Sequence, residues 1–361
     1  MKLLVLIDQM KRGGAARVTS TMINGLVQRG YKIKLATNNV TQGIEYSVDK
    51  NIEILSYYGG VTHNKIQSIV RHIRLIFSAR ACVKATHPDV IIAVTYAPYM
   101  YVKFATWFSK IPIIAVDHTS FSRKISWWED WVRYHFYKYA DTLSILTQKD
   151  MDLLGHRMPN KVVVYNPLSF SPLDHETVRD KNILVAGRLS FWKIKGIDRI
   201  IDIWSKLADK YMGWTLEIAG DGDDNSISFL KSLVSQKGLN DRVRFLGQVV
   251  DMKTKLSKTS IYALPSRVEG FPMVLMEAMS QGCACVAFSL GGACDEMMTH
   301  NKSGLIVEDD NLDAFSSSLT KLIENSLVRD NFGKNAINEC GRFSVDSFIN
   351  SWINLLNRYE G

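Results

Sequence analysis

Apolar residues fall along this chain in short unbroken runs, separated by longer stretches with helical periodicity. Leu3-Leu4-Val5-Leu6-Ile7 meets Asp8 at once, and Ile113-Ile114-Ala115-Val116 contains no polar residue. Short continuous runs of this kind fit strands buried on both faces, as in a parallel sheet covered by helices. In the first half the pattern predicts strands at 3–7, 32–37, 52–55, 90–94, 113–116, 142–146 and 162–165, with helices at about 15–29, 64–86, 97–109, 128–139 and 148–155. The second half repeats the scheme, with strands at 183–186, 215–219, 243–246, 261–264, 285–287 and 305–307 and helices such as 197–211 and 225–237. Regular strand–helix alternation predicts an α/β protein. At 361 residues the chain exceeds one comfortable core, so two domains are expected. Asn166-Pro167-Leu168 and the loose stretch to Lys181 mark the linker, because proline disfavours continuing either neighbour. A last helix at about 345–359 carries Phe348, Trp352, Leu355 and Leu356 on one apolar face.

The most informative stretch runs from Pro265 to Met279 and holds two carboxylates, Glu269 and Glu277, eight residues apart. Gly270 offers backbone freedom for close ligand approach. Pro272 suits a first helical position, where its missing N–H is no loss, and Gly282 suits the helix end. Glu269 is then in a loop and Glu277 one to two turns into the helix. Between them the N–H groups of Met273, Val274 and Leu275 are expected to be bare at the positive end of the helix dipole. Such an end binds phosphate, and flanking carboxylates suit sugar hydroxyls. The combination points to a nucleotide-diphosphate sugar. A glycosidase also uses two carboxylates, but hydrolysis has no use for a phosphate-binding tip between them.

This run resembles the retaining glycosyltransferase family 4, and the resemblance continues in order on both sides. Gly187-Arg188-Leu189 with Lys195-Gly196, Ile218-Ala219-Gly220-Asp221-Gly222, and Arg242-Val243-Arg244-Phe245-Leu246-Gly247 match family elements. Gly282, Val286, Gly292, Glu296 and Gly304-Leu305-Ile306-Val307 complete the series. The match is dense over 182–307 and thinner before. It implies the GT-B architecture: two Rossmann-like doubly wound domains facing a central cleft, the first at 1–168, the second at 169–344, with the C-terminal helix 345–361 crossing back to the first.

Arg188 and Lys195 follow a predicted buried strand, where active-site groups of open α/β sheets collect. Both suit phosphate oxygens, Arg188 as a planar fork of donors and Lys195 as a compact charge; taken alone they are also ordinary solvated loop cations. The resemblance assigns both to the donor diphosphate. The segment Ser190–Ile194 is longer than the family's commonest form and supplies Lys193 as an alternative to Lys195. The resemblance turns Glu269 to the donor sugar and Glu277 to the ribose, with Gly270, Phe271, Pro272, Met273 and Val274 lining the nucleotide. It matches His118 to a histidine that approaches the reacting sugar, with Asp117 where the family often has Glu. Gly220 and Asp221 lie near the nucleotide in the same picture, unless Asp221 merely caps the next helix. Gly13-Gly14-Ala15-Ala16-Arg17 corresponds to the family's Gly-Gly-Ala-Glu-Arg, with Ala16 in place of the acid. Gly13 and Gly14 either shape the donor–acceptor cleft or form a plain helix entry.

Charge changes the picture of partners. Residues 1–170 hold 22 Lys and Arg against 11 Asp and Glu, and residues 171–361 hold 22 against 25. A basic first half meets something anionic, either nucleic acid or a membrane surface. The membrane is favoured because no nucleic-acid motif is present. The stretch 63–84 also predicts an amphipathic helix with Lys65, Arg71, Arg74, Arg80 and Lys84 among Ile66, Ile69, Ile73, Leu75, Ile76 and Phe77. The alternative for that helix is a domain face with solvated cations. Trp107, Trp127, Trp128 and Trp131 add aromatic surface. The first apolar run is too short for a signal-peptide core, no run reaches the roughly 20 residues of a spanning helix, and the five cysteines show no Cys-x-x-Cys pair. A reduced, cytoplasmic protein, peripheral at the inner face of the membrane, is expected.

The resemblance therefore implies a retaining hexosyl- or N-acetylhexosaminyltransferase, metal-independent and without a cofactor beyond its UDP-sugar donor. Phe271-Pro272-Met273-Val274-Leu275 resembles bacterial members that build surface polysaccharide or lipid-linked oligosaccharide. It points to a polyprenyl-diphosphate-linked glycan acceptor and to UDP-galactose or UDP-N-acetylgalactosamine as donor. A nicotinamide-dependent dehydrogenase is disfavoured: no Gly-x-Gly-x-x-Gly follows the first strand, and the second ends at Thr37-Asn38-Asn39 without a ribose-binding acid. A catalytically silent sugar-nucleotide-binding module is disfavoured because Arg188, Lys195, Glu269 and Glu277 are all present.

Overall fold

The computed structural model describes residues 1–11, 13–38, 43–58, 60, 65–122 and 126–360. His63, Asn39 and the side chains of Lys65 and Ile66 lie outside the described residues. The chain divides into two units, one formed by Met1–Pro167 with Val345–Gly361 and the other by Leu168–Ser344.

The first unit follows the order β1 (Lys2–Ile7), α1 (Gly14–Gln28), β2 (Lys32–Thr37), β3 (Glu53–Ser56), α2 (Lys65–Thr86), β4 (Val90–Val94), α3 (Tyr96–Ala105), β5 (Ile113–Val116), α4 (Trp127–His135), β6 (Thr142–Ile145), α5 (Gln148–Leu154) and β7 (Lys161–Val163). Its seven strands form one sheet in the order β3-β2-β1-β4-β5-β6-β7, parallel throughout. β4 and β5 are buried along their whole length, as their all-apolar sequences require.

The second unit runs β8 (Asp180–Ala186), α6 (Ile197–Leu207), β9 (Thr215–Ala219), α7 (Asp224–Gln236), β10 (Val243–Gly247), α8 (Met252–Ser257), β11 (Thr259–Leu264), α9 (Met273–Ser280), β12 (Ala284–Phe288), β13 (Gly304–Val307), α10 (Leu312–Glu324) and α11 (Ser326–Cys340). Its sheet, also parallel, has the order β10-β9-β8-β11-β12-β13. In both sheets the strand order reverses beside the first strand of the unit. Loops leaving β1 and β4, and those leaving β8 and β11, therefore diverge and open a crevice at the strands' carboxyl ends.

The last helix, α12 (Val345–Leu356), belongs to the first unit and buries Phe348, Ile349, Trp352, Leu355 and Leu356. It lies so close to α1 that a Cβ at Gly25 would stand 2.3 Å from Ile349 Cδ1. Arg29, just past the end of α1, donates to Asp346 at 2.9 Å, and Tyr359 pairs with Thr142 of β6 at 2.7 Å.

Candidate active site

The carboxyl ends of β8 and β11 gather most of the residues expected to bind the donor. After β8 the chain turns through Gly187 and Arg188. The Gly187 N–H donates to Ala219 O at 3.0 Å, and the Leu189 N–H to Asp221 O at 2.7 Å. This lacing needs glycine at 220: its φ is +137°, and a Cβ there would sit 1.9 Å from Gly187 O. Asp221 is exposed and accepts from the Gly222 N–H at 2.8 Å. It does not cap α7; Asp223 does, accepting from Ser226 N–H at 2.9 Å.

The loop from Arg188 to Gly196 is fastened to the loop after β11. The Arg267 N–H donates to Ile194 O at 2.8 Å, and its guanidinium forks onto Asp198 at 2.8 and 2.7 Å. That bracing places Lys195 Nζ 2.7 and 2.9 Å from the two oxygens of Glu269. Ser266 Oγ donates to the same carboxylate at 2.7 Å. Lys195 makes this contact, while Lys193 is exposed. Arg188 is exposed, and its guanidinium has no hydrogen-bond or ion-pair partner among the described residues; it lies 5.9 Å from the Phe191 ring.

Two expectations about α9 need correction. Pro272 is not the first helical residue; at ψ 80° it precedes the helix, which begins at Met273. The three N–H groups expected to be bare are not all bare. Met273 donates to Phe271 O at 2.8 Å and Leu275 to Pro272 O at 3.0 Å, because the chain enters the helix through tight turns. Val274 keeps an N–H without a backbone partner among the described residues, and both Met273 and Val274 are partly exposed. Gly270 does not use the left-handed region, so its place rests on something other than backbone sign. Phe271 is buried, edge-on to Phe343 at 5.8 Å between centroids, which makes it a packing residue in this structure. Glu277 is 3% exposed and accepts a hydrogen bond from Ser169 Oγ.

His118, Gly13 and Gly14 lie in the first unit. Gly13 has extended backbone (φ 166°) and precedes α1; its N–H donates to Tyr46 Oη at 3.1 Å. Neither glycine has a positive φ, and a Cβ on Gly14 would meet nothing within 4 Å. The local geometry is a helix entry held by a tyrosine. His118 leaves the end of β5, half-buried, and burial lowers its pKa to about 4 against the opposing pull of Asp117. The ring is therefore neutral at pH 7. Asp117 itself is buried and taken by Arg133 Nε at 2.8 Å. Arg133 also donates to Thr119 O at 2.6 Å and stacks on Phe121, 4.1 Å from its centroid. The acid before the histidine thus fixes the loop that carries it. Asp150 supports the same loop, accepting from Ser120 Oγ at 3.1 Å and the Phe121 N–H at 2.9 Å.

Sequence reasoning missed Arg133, Asp150, Ser169, Ser266, Arg267 and Asp198. Arg267 and Ser266 stood inside the most informative run. The partnership of Arg267 with Asp198, 69 residues away, carried no local signal.

The profile of the family described as Glycosyltransferase Family 4 matches residues 12–169, and that of Glycosyl transferases group 1 matches residues 174–339. The amylovoran biosynthesis glycosyltransferase AmsD of Erwinia amylovora is 27% identical, over 99% of this chain and 99% of its own length. A Campylobacter jejuni enzyme, the alpha-1,4-N-acetyl-D-galactosaminyltransferase that acts on GalNAc-alpha-(1->4)-GalNAc-alpha-(1->3)-diNAcBac-PP-undecaprenol, is 24% identical, over 99% of this chain and 98% of its own. The fold is that of the Anabaena protein HepE, solved with UDP-glucose: the TM-score is 0.79 at 19% identity, covering 99% of this chain and 100% of that one. With both halves matched and the strand-end loops carrying the motif residues, the chain belongs to glycosyltransferase family 4 and has the GT-B fold.

Proposed function

We propose that this glycosyltransferase is retaining and moves a hexosyl or N-acetylhexosaminyl group from a UDP-sugar to a hydroxyl of a lipid-linked glycan, in assembly of a bacterial surface polysaccharide. The observations that carry this reading are the Lys195–Glu269 pair and the unpartnered guanidinium of Arg188, on the loops that leave the strands where the order of the second sheet reverses. Cleaving the sugar–diphosphate bond leaves negative charge on the phosphate. Arg188 and Lys195 supply fixed positive charge there, which stabilises the transition state more than the ground state. Glu269, held by Lys195 and Ser266, presents a carboxylate to the sugar hydroxyls, and Glu277 accepts from the ribose. In this reading the acceptor attacks on the face the diphosphate leaves, and the leaving phosphate takes its proton. Neither a covalent nucleophile nor a metal is called for. UDP is favoured by the neighbour solved with UDP-glucose, and a polyprenyl-diphosphate-linked acceptor by the Campylobacter relative. UDP-galactose and UDP-N-acetylgalactosamine are the first donors to try.

The anionic membrane surface belongs to the same proposal. No helix among the described residues is long and apolar enough to cross a membrane. On α2, Ile69, Ile73 and Phe77 are exposed and continue in line with exposed Arg80 and Lys84. Burial raises the pKa of Asp8, and the charge of half-buried Arg71 partly offsets that rise; Arg71 is thus turned inward, and Arg80 and Lys84 are the better contacts. Exposed Trp127, Trp128 and Trp131 add an interfacial aromatic face. The site would then work at the inner face of the cell membrane.

Transfer to a polyprenyl-diphosphate-linked oligosaccharide on phosphatidylglycerol vesicles should proceed from one of these two UDP-sugars. Proton NMR of the product should show the donor's anomeric configuration kept. Arg80→Glu with Lys84→Glu should reduce co-sedimentation with these vesicles but not with neutral ones. An inverted product rules out retention, and sedimentation indifferent to lipid charge rules out the membrane surface.

A further inference from the structure

The first sheet reverses between β1 and β4, whose ends are in register at Ile7 and Val94. Asp8 and Thr95 are the next residues, one on each lip of the crevice where open α/β sheets bind ligands. Thr95 holds φ 72° and ψ 166° without capping α3 by its side chain, a costly setting for a β-branched residue and one found at binding sites. Asp8 is half-buried. Its backbone oxygen accepts from the Asn38 N–H at 2.9 Å and Thr37 Oγ1 at 3.3 Å, but its carboxylate accepts no hydrogen bond among the described residues. Arg71 is the matching case. It leads the inward stripe of α2, followed by buried Leu75, Ala79 and Cys82. That stripe is tied to the end of β3: Ser78 Oγ accepts from the Tyr58 N–H at 3.2 Å and Cys82 Sγ donates to Ser56 O at 3.7 Å. The Arg71 guanidinium is half-buried and also has no hydrogen-bond or ion-pair partner among the described residues. The two charges are near enough for Arg71 to offset part of the burial that raises the Asp8 pKa, yet they form no ion pair.

The surroundings are polar and shared. Tyr57 and Tyr101, with ring centroids 6.4 Å apart, both lie within electrostatic range of Asp8 and of Arg71, and Tyr96 lies within range of Asp8. Tyr101 Oη is taken by His72 Nδ1 at 2.5 Å, Tyr96 Oη donates to Glu129, and Tyr57 Oη is sealed from solvent. The tips of Asp8 and Arg71 are not sealed. A carboxylate only accepts and a guanidinium only donates, so the pair asks for a ligand that does both. An anionic ligand is repelled by Asp8 and a cationic one by Arg71, whereas sugar hydroxyls both donate and accept. We propose that this crevice is a subsite for a neutral sugar, one hydroxyl donating to the Asp8 carboxylate and a neighbouring one accepting from Arg71. Resting on the transferase reading above, the occupant is a sugar of the acceptor glycan. Asp8 and Arg71 hold that sugar in place, and the nucleotide and any lipid diphosphate bind elsewhere.

Saturation-transfer NMR of the full chain at pH 7, with no donor present, reads the subsite directly. The probes are the methyl glycosides of galactose, glucose and their N-acetylamino forms, set against methyl glucuronide as an acid and methyl galactosaminide as an amine. At least one neutral glycoside should bind, and more tightly than either charged one. Asp8→Asn and Arg71→Met should each weaken that binding by roughly 10-fold or more, as expected for losing a hydrogen bond to a charged group. Asp8→Asn keeps the side chain's shape and carries the test alone if Arg71→Met does not fold. No neutral glycoside bound, a charged one bound as tightly, or binding unchanged in the folded variants overturns the inference. Because nothing is transferred, the result is independent of the transferase reading. Where transfer is observed, Asp8→Asn should raise the acceptor KM and leave UDP affinity unchanged; an unchanged acceptor KM removes the subsite while the transferase reading stands.

Discussion

Lys195→Ala lowers kcat/KM for sugar transfer by roughly 10²–10³, with most of the loss in kcat. The lysine sits 2.7 and 2.9 Å from the Glu269 oxygens, and the carboxylate is the more buried partner, 12% exposed against 28%. Under the proposed function, removing the ammonium takes away positive charge where the diphosphate leaves and also strands a carboxylate that repels it. Two losses follow from one deletion, and the second is reversible by design. Lys195→Ala combined with Glu269→Gln should bind UDP-sugar more tightly than Lys195→Ala alone, while kcat stays low because the proposed function also needs Glu269 at the sugar. Partners in direct contact couple in this non-additive way. Steady-state kinetics and donor titration of Lys195→Ala, Glu269→Gln and the double variant check it. A Lys195→Ala enzyme within twofold of wild type, or strictly additive effects on donor affinity, contradicts the pairing as a working part of the site.

Gly196→Ala destabilises the protein by about 3 kcal/mol, from a left-handed penalty of about 1–2 kcal/mol and overpacking of about 1–3 kcal/mol. Gly196 has φ 67° and ψ 24° just before α6, and a Cβ there would lie 1.9 Å from the carbonyl oxygen of Pro265. The obstacle is backbone, which cannot rotate aside. Two other glycines separate the contributions. Gly213 is left-handed with nothing within 4 Å of a Cβ, so Gly213→Ala carries the conformational cost alone. Gly14 has neither a positive φ nor a close neighbour, so Gly14→Ala should be neutral or slightly stabilising at a helix start. Thermal melts ranked Gly14→Ala, Gly213→Ala, Gly196→Ala in falling order are expected; Gly196→Ala melting with the wild type would refute the close approach of the two loops.

The sheets were legible because strands buried on both faces leave continuous apolar runs. The stretches at 90–94, 113–116 and 215–219 coincide with β4, β5 and β9. Edges shifted where polar residues join a ladder: β8 begins at Asp180 and β11 at Thr259, ahead of their apolar cores. The reversal of strand order could not be read from alternation, since it depends on where each crossover lands. Within the site, the motifs located Glu269 and Lys195 but not their contact, which depends on Arg267 bridging to Asp198. The helix tip was over-read because a proline before a helix does not fix the turn that leads into it. Trp352 was legible as an apolar member of the last helix, whereas its unpaired N–H emerges only when α12 is packed on the first unit.

The central claim is that the leaving diphosphate is held at the strand ends of the second unit. Calorimetric titration of UDP into the wild type, Arg188→Ala and His118→Ala tests it most directly, since in the proposed reaction UDP carries the charge that departs with the cleaved bond. A hydrogen bond to a charged group contributes about 1.5–3 kcal/mol, so Arg188→Ala should weaken UDP binding by roughly 10- to 100-fold, with His118→Ala binding UDP like the wild type. Equal affinity in the wild type and Arg188→Ala, or a comparable loss in His118→Ala, would contradict it.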